Sequence, residues 1–213
     1  MSMKVCVIGL GRFGYNVATT LAQKGIDVLA VDKDEFIIAS IRDSVTQAIC
    51  MHIHNQNDLL SLGVEEMDLV IVGMGENFDQ TILMTALLKK RLHTNKVISR
   101  AINSIHQEIL TLIGADETVI PEKNIGVALA ERLSSPFQQF NRISKDFFLV
   151  ECIAPDNFVN STLTELDLYN NYSISCVGIK KDTNFEPVDP HYVIRNNDIL
   201  LFAGDEKDLK KIT

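Results

Sequence analysis

The sequence predicts an α/β fold: a doubly wound parallel-sheet domain followed by a smaller α+β domain. Three observations carry that prediction. Up to Ile120, short apolar runs alternate with helix-length amphipathic stretches. A glycine-rich turn, "GLGRFG", follows the first run and opens the first helix. After Pro121 the rhythm changes to short strands separated by Asn, Asp and Pro clusters.

Taken in order, "KVCVI" (4–8) reads as a buried strand. The helical stretch Phe13 to Lys24 carries Val17, Ala18 and Leu21 on one face and stops at Gly25. "DVLAVD" (27–32) is the second strand, Asp34–Arg42 the second helix, and "TQAICM" (46–51) the third strand. "NDLLSL" makes a short helix ended by Gly63, and "DLVIVGMG" (68–75) is the strongest strand pattern in the chain. An apolar helix runs through "QTILMTALLKKRL"; "KVISRA" (96–101), a helix over 104–113 and "TVI" (118–120) complete six βα-type steps. Such alternation implies a parallel sheet covered on both faces. Right-handed crossovers then give a Rossmann-like strand order. A further helix is expected from Asn124 to Leu133, interrupted at Pro136. Beyond it come "FFLVECIA" (147–154), "SISCVGIKK" (173–181) and "DILLFAG" (198–204), with "EKDLKKI" near the end. This reading places the first domain over 1–142 and the second over 143–213.

The 213 residues, 46% hydrophobic and 23% charged, suffice for an ordinary globular core. A net charge of −8 argues against a nucleic-acid binder, because neutralising phosphates needs a basic face. No charge-free apolar run approaches the roughly 18 residues of a membrane span. "MSMKVCVIG" enters a strand pattern directly, without the apolar core and cleavage site of a signal peptide. Cys6, Cys50, Cys152 and Cys176 are far apart in apolar runs and lack C-x-x-C spacing. They read as buried, reduced thiols of a cytosolic protein.

Gly9, Gly11 and Gly14 stand in G-x-G-x-x-G spacing. Gly9 allows the tight turn, Gly11 lets backbone approach phosphate, and Gly14 allows close helix–strand packing. The helix that follows aims unpaired N–H groups and its positive dipole end at the anion. Asp32 ends the next strand about twenty residues on, the context this motif requires, and would accept hydrogen bonds from ribose hydroxyls. An acid there disfavours a 2′-phosphate. Arg12 and Phe13 lie inside the loop, where a guanidinium matches a terminal phosphate such as ADP or ATP presents; the alternative is a solvated arginine. Open α/β sheets bind ligands at the carboxyl ends of their strands. That adds Lys33, Asp34, His52 and Arg100, and the "GMGEN" loop of Gly73, Met74, Gly75, Glu76 and Asn77. The loop reads equally as a turn with a helix N-cap.

A catalytic role finds no support in the pattern. A dehydrogenase needs an acid or base beside its substrate carbon and a domain to hold the substrate. His52 and His54 have i, i+2 spacing but no third ligand nearby, and His93, His106 and His191 are scattered. G-x-S-x-G, the Walker G-K-[ST] loop and H-E-x-x-H are all missing.

"VIGLGRFG", "VLAVDKD", "DLVIVGMGENF", "GADETVIPEKNIG" and "NNDILLFAGDEKDL" together resemble the Trk/Ktr-type regulators of potassium conductance across essentially the whole chain. The resemblance implies an N-terminal nucleotide-binding RCK domain and a C-terminal RCK subdomain. It also implies a cytoplasmic regulatory subunit, peripheral to the inner face of the membrane, that docks on a potassium channel or transporter. By the same resemblance, Arg12 matches an arginine that contacts terminal phosphates, and Arg100 a basic position beside the nucleotide. Glu122 matches a glutamate associated with a cation near the phosphates at the subunit interface; on physical grounds it simply favours a helix dipole. His52 stands where many relatives carry Asp or Asn. The nucleotide is then ATP or ADP, with NAD or NADH as the alternative and a small NAD-dependent oxidoreductase as the remoter rival. Relatives that bind cyclic di-AMP imply a second effector on the C-terminal subdomain, with no residues assigned to it.

Ile125, Leu129, Leu133 and Phe137 recur every four residues, with Phe140 close by. That stripe reads by default as core; the resemblance offers an interface with a neighbouring subunit instead. Ile82, Leu83, Ala86 and Leu87 form a second interface candidate. A homodimer assembling into a ring is expected, and an octamer on the resemblance alone.

Overall fold

Alternating apolar side chains decide the first sheet. In β1 (Lys4–Ile8), Val5 and Val7 face one way, Cys6 and Ile8 the other, and every one of the four is buried. The computed structural model describes residues 2–75, 77–137 and 139–212, and the chain divides into two compact units after Lys123.

In the first unit, α1 (Arg12–Gln23), β2 (Asp27–Asp32), α2 (Glu35–Ile41) and β3 (Gln47–Cys50) follow β1. They are succeeded by α3 (Gln56–Ser61), β4 (Leu69–Val72), α4 (Phe78–Ala86), β5 (Val97–Arg100), α5 (Ser104–Leu112) and β6 (Glu117–Val119). The strands are parallel in the order β3-β2-β1-β4-β5-β6, so the doubly wound expectation holds. Chain direction across the sheet reverses between β1 and β4, and ligand crevices open at such switch points. Both faces carry a core. Cys6, Ile8, Val31 and Val72 pack with Leu59, Met84 and Leu88, while Val5, Val7, Ala30 and Ile71 pack with Ala18, Ile38 and Ile41. Full burial of each aliphatic side chain contributes about 1.5–3 kcal/mol. Several polar groups within the core are paired with one another: the Thr85 and Ser99 hydroxyls share a 2.8 Å hydrogen bond, and Thr81 Oγ1 donates to the Met74 carbonyl at 2.8 Å. Beyond α4 the chain makes a single π turn over Leu87–Arg91.

α6 (Pro121–Ser134) starts on a proline, which costs nothing where the N–H has no intrahelical partner. It ends two residues before Pro136, since the residue preceding a proline is pushed out of the helical region. None of its residues is buried: Ile125 is 70% exposed and Leu133 73%. The core reading of that stripe is therefore corrected for this chain. Phe137 and Phe140, its continuation in sequence, do enter a core, that of the second unit.

The second unit is an antiparallel sheet ordered β10-β9-β11-β8-β7. Its strands are β7 (Gln139–Arg142), β8 (Phe147–Ile153), β9 (Ile174–Lys181), β10 (Asn184–Glu186) and β11 (Ile199–Asp205). The short helices α7 (Leu163–Leu166), α8 (Leu168–Tyr172) and α9 (Glu206–Leu209) complete it around buried Phe148, Phe158 and Phe202. Because β7 pairs with β8, residues 139–142 belong to this sheet, earlier than the boundary read from sequence. Cys6 is buried and its thiol is pushed up to about 12 by loss of water. Cys50, expected buried, is exposed on the edge strand β3.

Candidate functional site

The glycine turn is built by close approach. Gly9 has φ +88°, a left-handed conformation, and a Cβ there would lie 2.5 Å from Met74 Cγ and 2.9 Å from Met74 N. Its N–H donates to the Val31 carbonyl (2.8 Å), and the Gly73 N–H donates to Ile8 (2.8 Å), so the turn is tied to both neighbouring strands. A Cβ on Gly14 would sit 1.9 Å from the Gly9 carbonyl oxygen, and one on Gly73 2.8 Å from the same oxygen. Gly11 differs: a Cβ there would meet nothing within 4 Å. The chain itself places no demand on Gly11, and the space above it is open for a ligand.

Gly11 is also the N-cap of α1, with no side-chain cap and no acidic residue in the first turn. The first N–H groups and the positive end of the helix dipole are left uncompensated, the physical condition for holding an anion. Arg12, exposed on that first turn, adds a cation. Asp32 closes the other side. Its Oδ2 accepts from the Leu10 N–H at 2.5 Å and its Oδ1 from the Asp34 N–H at 3.0 Å, fixing the carboxylate at the end of β2.

Beyond β5 a second group converges on Arg100, whose side chain is only 17% exposed. Its guanidinium lies 6.0 Å from the Phe13 ring centroid, and a Cβ on Gly75 would fall 2.0 Å from Nη1. Nη2 donates to Glu122 Oε1, and Nε is buried without a partner. Glu122 sits in the first turn of α6. Hydrogen bonding to its own backbone N–H, then the Arg100 charge, holds its carboxyl below the usual range. The remaining candidates spread out. Lys33 is exposed; the Asp34 carboxylate caps α2 by accepting from the Phe36 N–H (2.8 Å). His52 is exposed with its ring 3.9 Å from that of His54, and the Asn77 side chain donates to Gln80. Glu76 lies outside the described residues. Among those described, no group of three or more His, Cys, Asp or Glu gathers as a cation site, and the Glu122 carboxylate is already held by Arg100.

Two family models match the chain in succession: the TrkA-N domain over residues 5–121 and the TrkA-C domain over 149–213. The chain belongs to the Trk/Ktr family of potassium uptake proteins. It is 34% identical to Ktr system potassium uptake protein A of Bacillus subtilis over 96% of this chain and 93% of that one. With the Ktr system potassium uptake protein C of the same organism it shares 32% identity over 99% and 96%. In fold it matches the GsuK RCK domain with a TM-score of 0.67 at 14% identity, covering 99% of this chain and 46% of that one. GsuK is also known as a channel bound to NAD (TM-score 0.67, 98% and 38%) and bound to ADP (0.55, 63% and 35%), each 14% identical.

Within this Trk/Ktr chain the TrkA-N match spans every candidate except Glu122. Gly9, Gly14, Gly73 and Met74 pack as one body, Phe13, Gly75, Arg100 and Glu122 as another, and His52 stands apart with His54. Sequence reasoning missed Leu10, whose N–H anchors Asp32, and Thr81, whose hydroxyl fixes the Met74 carbonyl. A backbone donor carries no sequence signal, but a threonine in the first turn after "GMGEN" does. His106 is also buried, its ring 4.4 Å from Phe78 and its Nδ1 accepting from the Ile102 N–H; burial lowers its pKa.

Proposed function

We propose that this chain is a nucleotide-sensing regulatory subunit of a potassium channel or transporter, binding an adenine nucleotide at the glycine turn and Asp32. The observation that carries the reading is the anion cradle: open space over Gly11 at an uncompensated helix N-terminus, beside a fixed carboxylate that suits ribose hydroxyls. Membership of the potassium uptake family supplies the biological setting. Gly9, Gly11, Arg12, Phe13, Gly14, Asp32, Gly73, Met74, Gly75 and Arg100 form the proposed contact set, with Lys33, Asp34, His52, Glu76 and Asn77 at its adenosine side. Arg12 discriminates ATP from ADP. A ligand shifts a conformational equilibrium only by its differential affinity for the two states, and the γ-phosphate supplies that difference at Arg12. NAD is the second reading, favoured by the NAD-bound GsuK channel and by the lack of any clash between Asp32 and an unphosphorylated ribose. A cation at Glu122 forms no step of this reading.

In the same reading the subunit is not an enzyme and self-associates through the exposed apolar residues Ile125, Leu129 and Leu133, as a dimer within a ring, an octamer by family resemblance. No described helix is long and apolar enough to cross a membrane. A place at the cytoplasmic face through an integral-membrane partner follows from the function proposed, as does a small-molecule effector on the second unit. Calorimetry with ATP, ADP, NAD and NADH, alongside light scattering, tests it. Tight binding of ATP and ADP with different assemblies or shapes is expected; tight NAD(H) with weak ATP moves the assignment to the second reading, and no binding refutes both.

A further inference from the structure

Arg100 is a largely, not fully, buried cation with unmet bonding capacity. A guanidinium offers five N–H donors in a rigid fork. Among the described residues Arg100 spends one on Glu122, while Nε is buried without an acceptor. The two partners are unequal: the Arg100 side chain is 17% exposed and that of Glu122 66%. Released from the pair, Glu122 returns to water at the start of α6, where a helix N-terminus still favours its charge. Arg100, mostly withdrawn from water beside Phe13 and Gly75, is the less hydrated of the two and gains more from a new acceptor. Phe13 is the second residue of α1, so the guanidinium lies against a side chain of the helix whose N-terminus is the proposed anion cradle. A diphosphate there matches the fork bidentately and carries more charge than one carboxylate.

Resting on the nucleotide reading above, we propose that Arg100 exchanges acceptors: it holds Glu122 when the cleft is empty and turns to the phosphates when nucleotide binds, freeing Glu122. The ion pair thereby opposes nucleotide binding, and by reciprocity nucleotide loosens the start of α6. The test is ADP calorimetry on the full chain in EDTA, so that no divalent ion takes part. Glu122→Gln removes the competing charge and is expected to tighten ADP binding roughly three- to fivefold, the scale of a partly exposed ion pair. Arg100→Gln weakens ADP binding, and in its background Glu122→Gln no longer changes affinity. Should Arg100→Gln fail to fold, Arg100→Lys, which lacks the fork, is expected to show the same loss of coupling in part. Unchanged or weaker ADP binding by Glu122→Gln overturns the exchange, as does a tightening that survives without Arg100, which is general repulsion of an anion. Failure of wild type to bind ADP overturns the nucleotide reading, and the exchange with it.

Discussion

Gly14→Ala and Gly11→Ala are chemically the same change three residues apart, and the structure assigns them opposite consequences. In a helix interior, replacing Gly by Ala ordinarily stabilises by about 0.8–1 kcal/mol. At Gly14 the new methyl would stand 1.9 Å from the Gly9 carbonyl oxygen. That oxygen cannot retreat freely, because the Gly9 N–H is bonded to Val31 and its Cα side faces Met74. Overpacking of this kind costs about 1–3 kcal/mol, and relief of more than an ångström belongs at the top of that range, leaving a net loss of about 1–2 kcal/mol after the helix gain. Gly11 has φ −60° and ψ −175°, which alanine adopts without strain, and its Cβ meets nothing. The loss there is within about 1 kcal/mol, from the poorer N-cap. Native-state hydrogen exchange of the β1 and α1 amides measures both: protection is expected to fall roughly 5–30-fold in Gly14→Ala and far less in Gly11→Ala. ADP calorimetry completes the contrast, because Gly11→Ala fills the ligand's space and should weaken binding about tenfold or more. Undiminished protection in Gly14→Ala, or Gly11→Ala that folds normally and binds ADP as wild type does, would refute the reasoning.

Arg12→Ala should narrow the ratio of ATP to ADP affinity; titration calorimetry with an unchanged ratio would count against a γ-phosphate contact. Asp116 loses water by burial, yet hydrogen bonds from Lys89 (2.9 Å) and the Val97 N–H (2.7 Å) win and hold its carboxyl below the usual range. The stability linked to it is present above the unfolded-state value near 3.8 and is lost as pH falls through the lower folded value. Asp116→Asn should therefore destabilise at pH 7 and much less under strongly acid conditions, by urea midpoints. Phe202→Ala, which empties a fully buried site between Phe158 and its neighbours, should cost the second unit about 3–5 kcal/mol by the same assay.

Much of the first unit was legible because its signals are local. Period-two apolar runs and the spacing of Gly9, Gly11, Gly14 and Asp32 are written within a few residues of where they act. The second unit was read less completely, since β7 ("QFNR") and β10 ("NFE") are short, polar edge strands without alternation. Cys50 misled for a related reason: "QAIC" is apolar enough for a core strand, but β3 lies at the sheet edge, which only the strand order reveals. The stripe of α6 shows that periodicity reports an amphipathic face without saying what covers it. Arg100 and Glu122 were each singled out, yet nothing in a linear sequence says that side chains 22 positions apart bond to one another.

The strand order also sets a timetable. β1 pairs with β2 through a short connection, Val5 opposite Val28, but its other edge waits for β4, where Val5 lies opposite Leu69. Met74, which backs the turn at Gly9, arrives later still. Long-range parallel pairing is a slow event, because loop-closure entropy is spent before contacts return it. A chain emerging from the ribosome thus displays its glycine turn long before that turn has a backing. On the function proposed above, completion of the glycine turn comes late in this order, so an adenine nucleotide added during refolding should act on the final consolidation and leave the earliest collapse untouched.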